Sequence, residues 1–131
     1  MITDRIDPAG LATIPGSSNV VVATGNRLVC ISGQTGVDED GKVVGTTHLE
    51  QARRALANLR IALDAAGVSP ADVVKLTIYV VDYGEATLEA LMTAAIEVFG
   101  DDYPVTASTL LGVEALWQPD VLVEIDAIAL G

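Results

Sequence analysis

The run Val121-Leu122-Val123-Glu124-Ile125-Asp126-Ala127-Ile128-Ala129-Leu130 sets two carboxylates two residues apart among large aliphatic side chains. In an extended strand successive side chains point to opposite faces. Val121, Val123, Ile125, Ala127 and Ala129 then share an uninterrupted apolar face, and Leu122, Glu124, Asp126, Ile128 and Leu130 share the other. A buried carboxylate without a partner is costly, so this pair must reach water, a partner or a ligand. Glu124 is the leading candidate for chemistry, and Asp126 is more simply a solvated or interface acid.

The other reactive residue types are scarce. Cys30 is the lone cysteine, so no internal disulfide exists, and its neighbours Leu28, Val29 and Ile31 suggest an inert core thiol. His48 is the lone histidine and cannot build a zinc site with a single cysteine. No loop carries calcium-type ligand spacing, so no metal and no cofactor are expected. The net charge of −11, with 7 Lys and Arg, would repel a phosphate backbone over most of the surface. Nucleic acid is therefore not an expected partner.

The elements that position these residues follow from periodicity. Met1 to Ser18 carries Pro8, Gly10, Pro15 and Gly16 and reads as irregular structure. Asn19 to Ala23 and Leu28 to Ser32 read as strands joined at Gly25-Asn26, a hairpin pattern. Gly33 ends the second strand, where a glycine permits a bulge or close backbone approach. Val37 to Val43 forms a tight turn around Asp40-Gly41, its acids a solvated tip.

Thr47-His48-Leu49-Glu50 fits a capping box. Leu49, Ala52, Leu56, Leu59, Leu63 and Ala66 then form one helical stripe, closed by Gly67. Arg53, Arg54 and Arg60 lie on the polar face and pair there with nearby acids. Ser69-Pro70-Ala71-Asp72 caps a brief helical turn before a strand from Val73 to Val81. A second helix from about Thr87 ends at Gly100, and strands follow from Val105 to Val113 and from Val121 to Leu130. Trp117 between them reads as a loop anchor.

At 131 residues the chain is one domain, 1–131, with a core of Val, Leu, Ile and Ala, since half its residues are hydrophobic and only 4% aromatic. No run is long enough to span a membrane and the N-terminal residues lack a charged-then-apolar pattern, so a cytoplasmic protein with no membrane partner is expected. Two helices and several strands give an α+β class, a mixed sheet covered on one face by both helices. The strands are apolar on both sides, so self-association is expected to cover the other face.

Four segments, taken together, resemble the RidA/YjgF family of small trimeric proteins. They are Gly25 to Gln34 ending in Ser-Gly-Gln, Gln51 to Leu59, Asp72 to Val80, and Val123 to Ala129, and the likeness runs nearly end to end. The resemblance implies a chorismate-mutase-like fold and a homotrimer whose sheets form a central barrel, with small-molecule pockets between subunits. The family's best-known activity is hydrolysis of reactive enamines and imines, such as 2-aminoacrylate, to 2-keto acids and ammonium. In those members an arginine on the penultimate strand holds the substrate carboxylate, a last-strand glutamate positions or activates water, and an N-terminal tyrosine helps to close the site.

By that resemblance Glu124 takes the place of the catalytic glutamate. The arginine position falls on Ser108, with Thr109 beside it, and the tyrosine position falls on Ser18. Ser32 and Gly33 keep the backbone segment that lines the family pocket. The implied substrate-binding set is thus Ser108, Thr109, Ser32, Gly33 and Ser18. A bidentate arginine bond contributes roughly 1.5 to 3 kcal/mol, and a serine offers one neutral hydrogen bond. Arg5 and Arg27 are the only other cations considered for the vacancy. The pocket would lean negative, which implies an imine or enamine other than 2-aminoacrylate. The alternative is a non-catalytic metabolite-binding trimer, a sensor or carrier. The ribonuclease label once attached to the family is disfavoured by the charge and the lone histidine.

Overall fold

A computed structural model describes residues 1–131. It contains β1 (Ile2–Ile6), β2 (Val20–Ala23), β3 (Leu28–Thr35), α1 (His48–Ala66), β4 (Val73–Val81), α2 (Glu85–Phe99), β5 (Ala107–Val113) and β6 (Val123–Leu130). A four-stranded sheet runs in the order β3-β6-β4-β5, and β1 and β2 form a separate ribbon. β6 is antiparallel to both its neighbours, and β4 and β5 are parallel, so the sheet is mixed as expected.

Helix α1 begins as its sequence dictates. Thr47 Oγ1 accepts the Glu50 N–H at 3.2 Å, and Glu50 Oε1 accepts from the Thr46 N–H at 3.3 Å. It ends at Gly67, whose φ of 71° is open to glycine and strained for other residues. Ala52, Leu56, Leu59 and Leu63 are buried, and α2 adds Leu91, Ala94 and Phe99 to the same core. Val121, Val123, Ile125, Ala127 and Ala129 are all at most 2% exposed, so the apolar face of the last strand is the one under the helices.

Four sequence expectations are corrected. The proposed hairpin between Asn19–Ala23 and Leu28–Ser32 does not form: β2 pairs with β1, within the stretch read as irregular, and β3 pairs with β6. Arg27 and Gly131 exchange backbone hydrogen bonds of 3.2 and 3.0 Å, so the Gly25-Asn26 bend sends the chain to the last strand. Helix α2 begins at Glu85, two residues early, because Gly84 caps it and Thr87 Oγ1 accepts the Gly84 N–H at 2.7 Å. Cys30 is exposed and not in the core. Its neighbours Val29 and Ile31 face the helices, and strand alternation puts Cys30 on the other side.

Of the arginines of α1 expected to pair with acids, only Arg53 does so closely, meeting Glu97 at 2.5 Å. Arg54 donates to the Val37 carbonyl at 3.1 Å, and Arg60 donates to the Val98 carbonyl at 2.9 Å while standing 3.8 Å from Asp102. Trp117 is 59% exposed. No helix is long and apolar enough to cross a membrane.

Candidate functional site

The sheet face turned away from the helices carries the candidate chemistry. Register sets its rows: Tyr79 lies opposite Glu124, Thr77 opposite Asp126, and Lys75 opposite Ile128. On the other side of β4, Thr109 lies opposite Thr77 and Leu111 opposite Tyr79. Tyr79, Glu124, Asp126, Thr77, Thr109 and Lys75 therefore share one open surface. Leu28, Cys30, Leu111 and Ile128 lie exposed around them.

Glu124 is seated by β3. Between Ile31 and Gln34 the register of β3 against β6 slips, a bulge at Ser32-Gly33. The bulge presses Gly33 against the glutamate: a Cβ at that position would lie 2.1 Å from Glu124 Oε2 and 2.6 Å from its Cδ. Both roles foreseen for this glycine, bulge and close approach, are thus present. Burial, and then the Asp126 charge beside it, hold the Glu124 carboxyl above the usual carboxylate range. The Tyr79 hydroxyl donates to Asp126 Oδ2 at 3.0 Å. That bond first, then burial and the charges of Asp126 and Glu124, raise the Tyr79 phenol above its ordinary value. A carboxyl so held can give up a proton nearer neutrality than a free one, and when ionised can orient water.

The remaining predicted residues fall elsewhere. Ser108 lies opposite Leu76, which is buried, so it faces the helix side while Glu124 faces away. Its hydroxyl donates to the Thr106 carbonyl at 3.1 Å. Ser18 is buried, and its N–H donates to the Thr106 carbonyl at 3.1 Å, beside the start of β5. Thr109 shares Glu124's face but stands two strands away, roughly 10 Å across the sheet. The chain thus brings Ser32, Gly33 and Glu124 together on the β3–β6 side of the sheet and Ser18 and Ser108 together on the β5 side. Arg5 Nε donates to the Val105 carbonyl at 2.8 Å and Arg27 to the Ala66 carbonyl at 2.9 Å, so neither stands beside Glu124.

Two residues of this face carried no signal along the sequence. Tyr79 reads as an ordinary strand residue, and only cross-strand register brings it to Asp126. Lys75 is the last Lys or Arg in the chain. Its Nζ donates to Thr109 Oγ1 at 2.7 Å, which gives the face a cation four residues along β4 from the Tyr79 row. His48 Nε2 meets the Val81 carbonyl at 2.6 Å, a structural contact. No group of three or more His, Cys, Asp or Glu could hold a metal. Two open clefts of about 410 and 390 Å³ flank the sheet, and Glu124 lines neither.

The family described as Endoribonuclease L-PSP matches residues 11–131. A RutC family protein of Pyrococcus horikoshii is 34% identical over 116 residues, 87% of this chain and 86% of that protein. A 2-iminobutanoate/2-iminopropanoate deaminase of Salmonella typhimurium is 35% identical over 103 residues, 78% of each chain. The crystal structure of YyfB, a conserved Rid-family protein of unknown function from Yersinia pestis, is similar with a TM-score of 0.88. It shares 34% identity over 98% of both chains.

Proposed function

The chain belongs to the RidA/YjgF family, the one whose profile is described as Endoribonuclease L-PSP, and we propose that it hydrolyses a neutral or cationic imine or enamine in a pocket between copies of itself. The observation that carries this reading is the seat of Glu124. Its carboxyl is pressed against Gly33, raised by burial and by Asp126, on a face that no arginine reaches. The similarity to an imine deaminase supports the reaction class.

In the proposed reaction Glu124 gives its proton to the imine nitrogen, and Asp126 offsets the charge of the iminium. The Glu124 carboxylate then takes a proton from the water whose oxygen bonds to the imine carbon. The resulting carbinolamine loses its nitrogen as ammonia, the C–N bond breaking as Glu124 returns the proton to nitrogen, and the hydroxyl proton passes to the Glu124 carboxylate as the carbonyl forms, which restores the acid. A carbonyl compound remains, and water supplies its oxygen. An enamine enters the same sequence after protonation at carbon.

A pocket shared between copies is supported by the division of the family positions. Ser108 and Ser18 lie at the β5 edge, two strands from Glu124, and Ser108 on the other face of the sheet. The exposed Leu28, Cys30, Leu111 and Ile128 are the surface that a homotrimer would cover, with the sheets forming its central barrel. Sedimentation equilibrium should give three times the 13.6 kDa chain mass. Imine hydrolysis should be lost in Glu124→Gln while 2-aminoacrylate stays near background until Ser108 is changed to Arg. A monomer, or turnover indifferent to Glu124, sinks the proposal.

A second reading, a metabolite-binding trimer without catalysis, is favoured by one fact: no Lys or Arg follows Lys75 to grip a substrate carboxylate. Ligands that raise the melting temperature without being consumed would select it.

A further inference from the structure

Just before β6 begins, its ladder with β4 ends on a half-made rung. The Val81 N–H donates to the Leu122 carbonyl at 2.9 Å, yet the Leu122 N–H makes no return bond to the Val81 carbonyl. Both of those groups go instead to the first turn of α1. Gln51 Oε1 accepts the Leu122 N–H at 2.8 Å, and the His48 ring donates from Nε2 to the Val81 carbonyl at 2.6 Å. An i,i+3 spacing puts the two side chains on one helix face. Backbone groups at a strand end need partners, and here one helix supplies both.

The same glutamine reaches both sides of the Glu124 seat. Its Nε2 donates to the Asp120 carbonyl at 2.8 Å and to the Gly45 carbonyl at 3.3 Å, so both ends of its buried amide are engaged. Asp120 and Leu122 lead into β6, and Glu124 follows Leu122 by two residues, roughly 7 Å along the strand. On the β3 side, Thr35 pairs with Glu124, and Gly36 after it lies against Gln51. A Cβ on Gly36 would stand 2.8 Å from Gln51 Cα and 2.9 Å from its Cβ and carbonyl oxygen. The Val44 N–H donates to the Gly36 carbonyl at 2.7 Å, which ties the chain around Gly45 to the same place.

We propose that Gln51, with His48 beside it, is a positioning residue for Glu124. It sets where β6 leaves the last rung and so holds the carboxyl against the Gly33 bulge. This role rests on Glu124 being the reactive acid of the imine-hydrolase reading, and it adds what keeps that acid in place. Neither residue reaches a substrate on the open face, because α1 packs on the other side of the sheet. Their effect on the reaction passes through the backbone of β4 and β6.

The test is the coupling between Gly33→Ala and Glu124→Ala, measured by urea denaturation in three backgrounds: native, Gln51→Leu and His48→Leu. A residue that only adds stability lowers every midpoint and leaves this coupling as it was. The coupling should be lost in Gln51→Leu and reduced in His48→Leu. His48→Gln should restore it, since the glutamine amide nitrogen falls near the place of Nε2. An unchanged coupling in Gln51→Leu overturns the proposal. Should that variant not fold, an unchanged coupling in His48→Leu overturns it. With an imine substrate, kcat should fall by up to about 100-fold while KM stays near the native value. Loss of the coupling in a protein without imine turnover keeps the positioning role and sinks the hydrolase reading. Glu124-dependent turnover with the coupling unchanged does the reverse.

Discussion

Alanine at position 33 puts a methyl carbon where Glu124 already sits. The added Cβ would lie 2.1 Å from Oε2, 2.6 Å from Cδ and 2.8 Å from Cγ. Ordinary contact is about 3.5 Å, so Oε2 must retreat by about 1.4 Å, the difference between 3.5 and 2.1. All three atoms lie beyond the Cβ of Glu124, so the side chain can swing and the backbone need not move. A forced off-rotamer side chain costs about 0.5 to 1.5 kcal/mol. Gly33 is not among the positive-φ glycines, so alanine also returns about 0.5 to 1 kcal/mol by stiffening the unfolded chain. The net loss of stability is thus small, about 0.5 kcal/mol. Activity is another matter, since displacing a catalytic group by about 1 Å can cost roughly 100-fold in rate.

The decisive measurement is a double-mutant cycle by urea denaturation over native, Gly33→Ala, Glu124→Ala and the double variant. With Cγ, Cδ and Oε2 gone, Gly33→Ala should stabilise the protein by about 0.5 to 1 kcal/mol. The coupling between the two positions should then be about 1 kcal/mol. If Gly33→Ala costs the same in both backgrounds, the carboxylate is not seated against Gly33 and the description of the site fails.

The raised Glu124 carboxyl means that the folded state holds its proton more tightly than the unfolded chain does. Its contribution to stability is full below the ordinary carboxylate value and is lost as pH rises through the raised one. Glu124→Gln should therefore gain on the native protein as pH rises from the ordinary carboxylate value through the raised one, read from urea midpoints. Gln51 is 1% exposed, donates to the Gly45 and Asp120 carbonyls, and accepts the Leu122 N–H at 2.8 Å. Gln51→Leu strands those groups and should cost about 3 kcal/mol, seen as a lower urea midpoint with an unchanged slope. With a net charge of −11 the protein should neither retain nor cleave RNA at about 0.15 M salt, and cleavage by pure protein would reverse that expectation.

How much was legible in the sequence depended on how local its cause was. The last strand was readable because alternation is a property of the strand itself, and all five residues of its apolar face are buried. The capping box and Gly67 were readable for the same reason. β1 was not: Ile-Thr-Asp-Arg-Ile lies mostly exposed and is held by backbone pairing to β2, which leaves no apolar pattern. The apolar neighbours of Cys30 along the chain point to the core, but strand alternation sets Cys30 on the opposite face from Val29 and Ile31. Tyr79 and Asp126 are 47 residues apart, and their contact depends on a register that no local pattern encodes. Gln51 gives no local signal because two of its three partners, Asp120 and Leu122, lie about 70 residues on, in the chain entering β6.

β6 lies between β3 and β4, yet it is synthesised after both. Val29 waits about a hundred residues for its partner Ala129. At ribosomal speeds of roughly 5 to 20 residues per second, the edge of β3 stays unpaired for about 5 to 20 s. During that interval a nascent chain offers Leu28 to Ile31 as an open template to its siblings on the same message. Arrival of the late strand closes that edge and the edge of β4 in a single event.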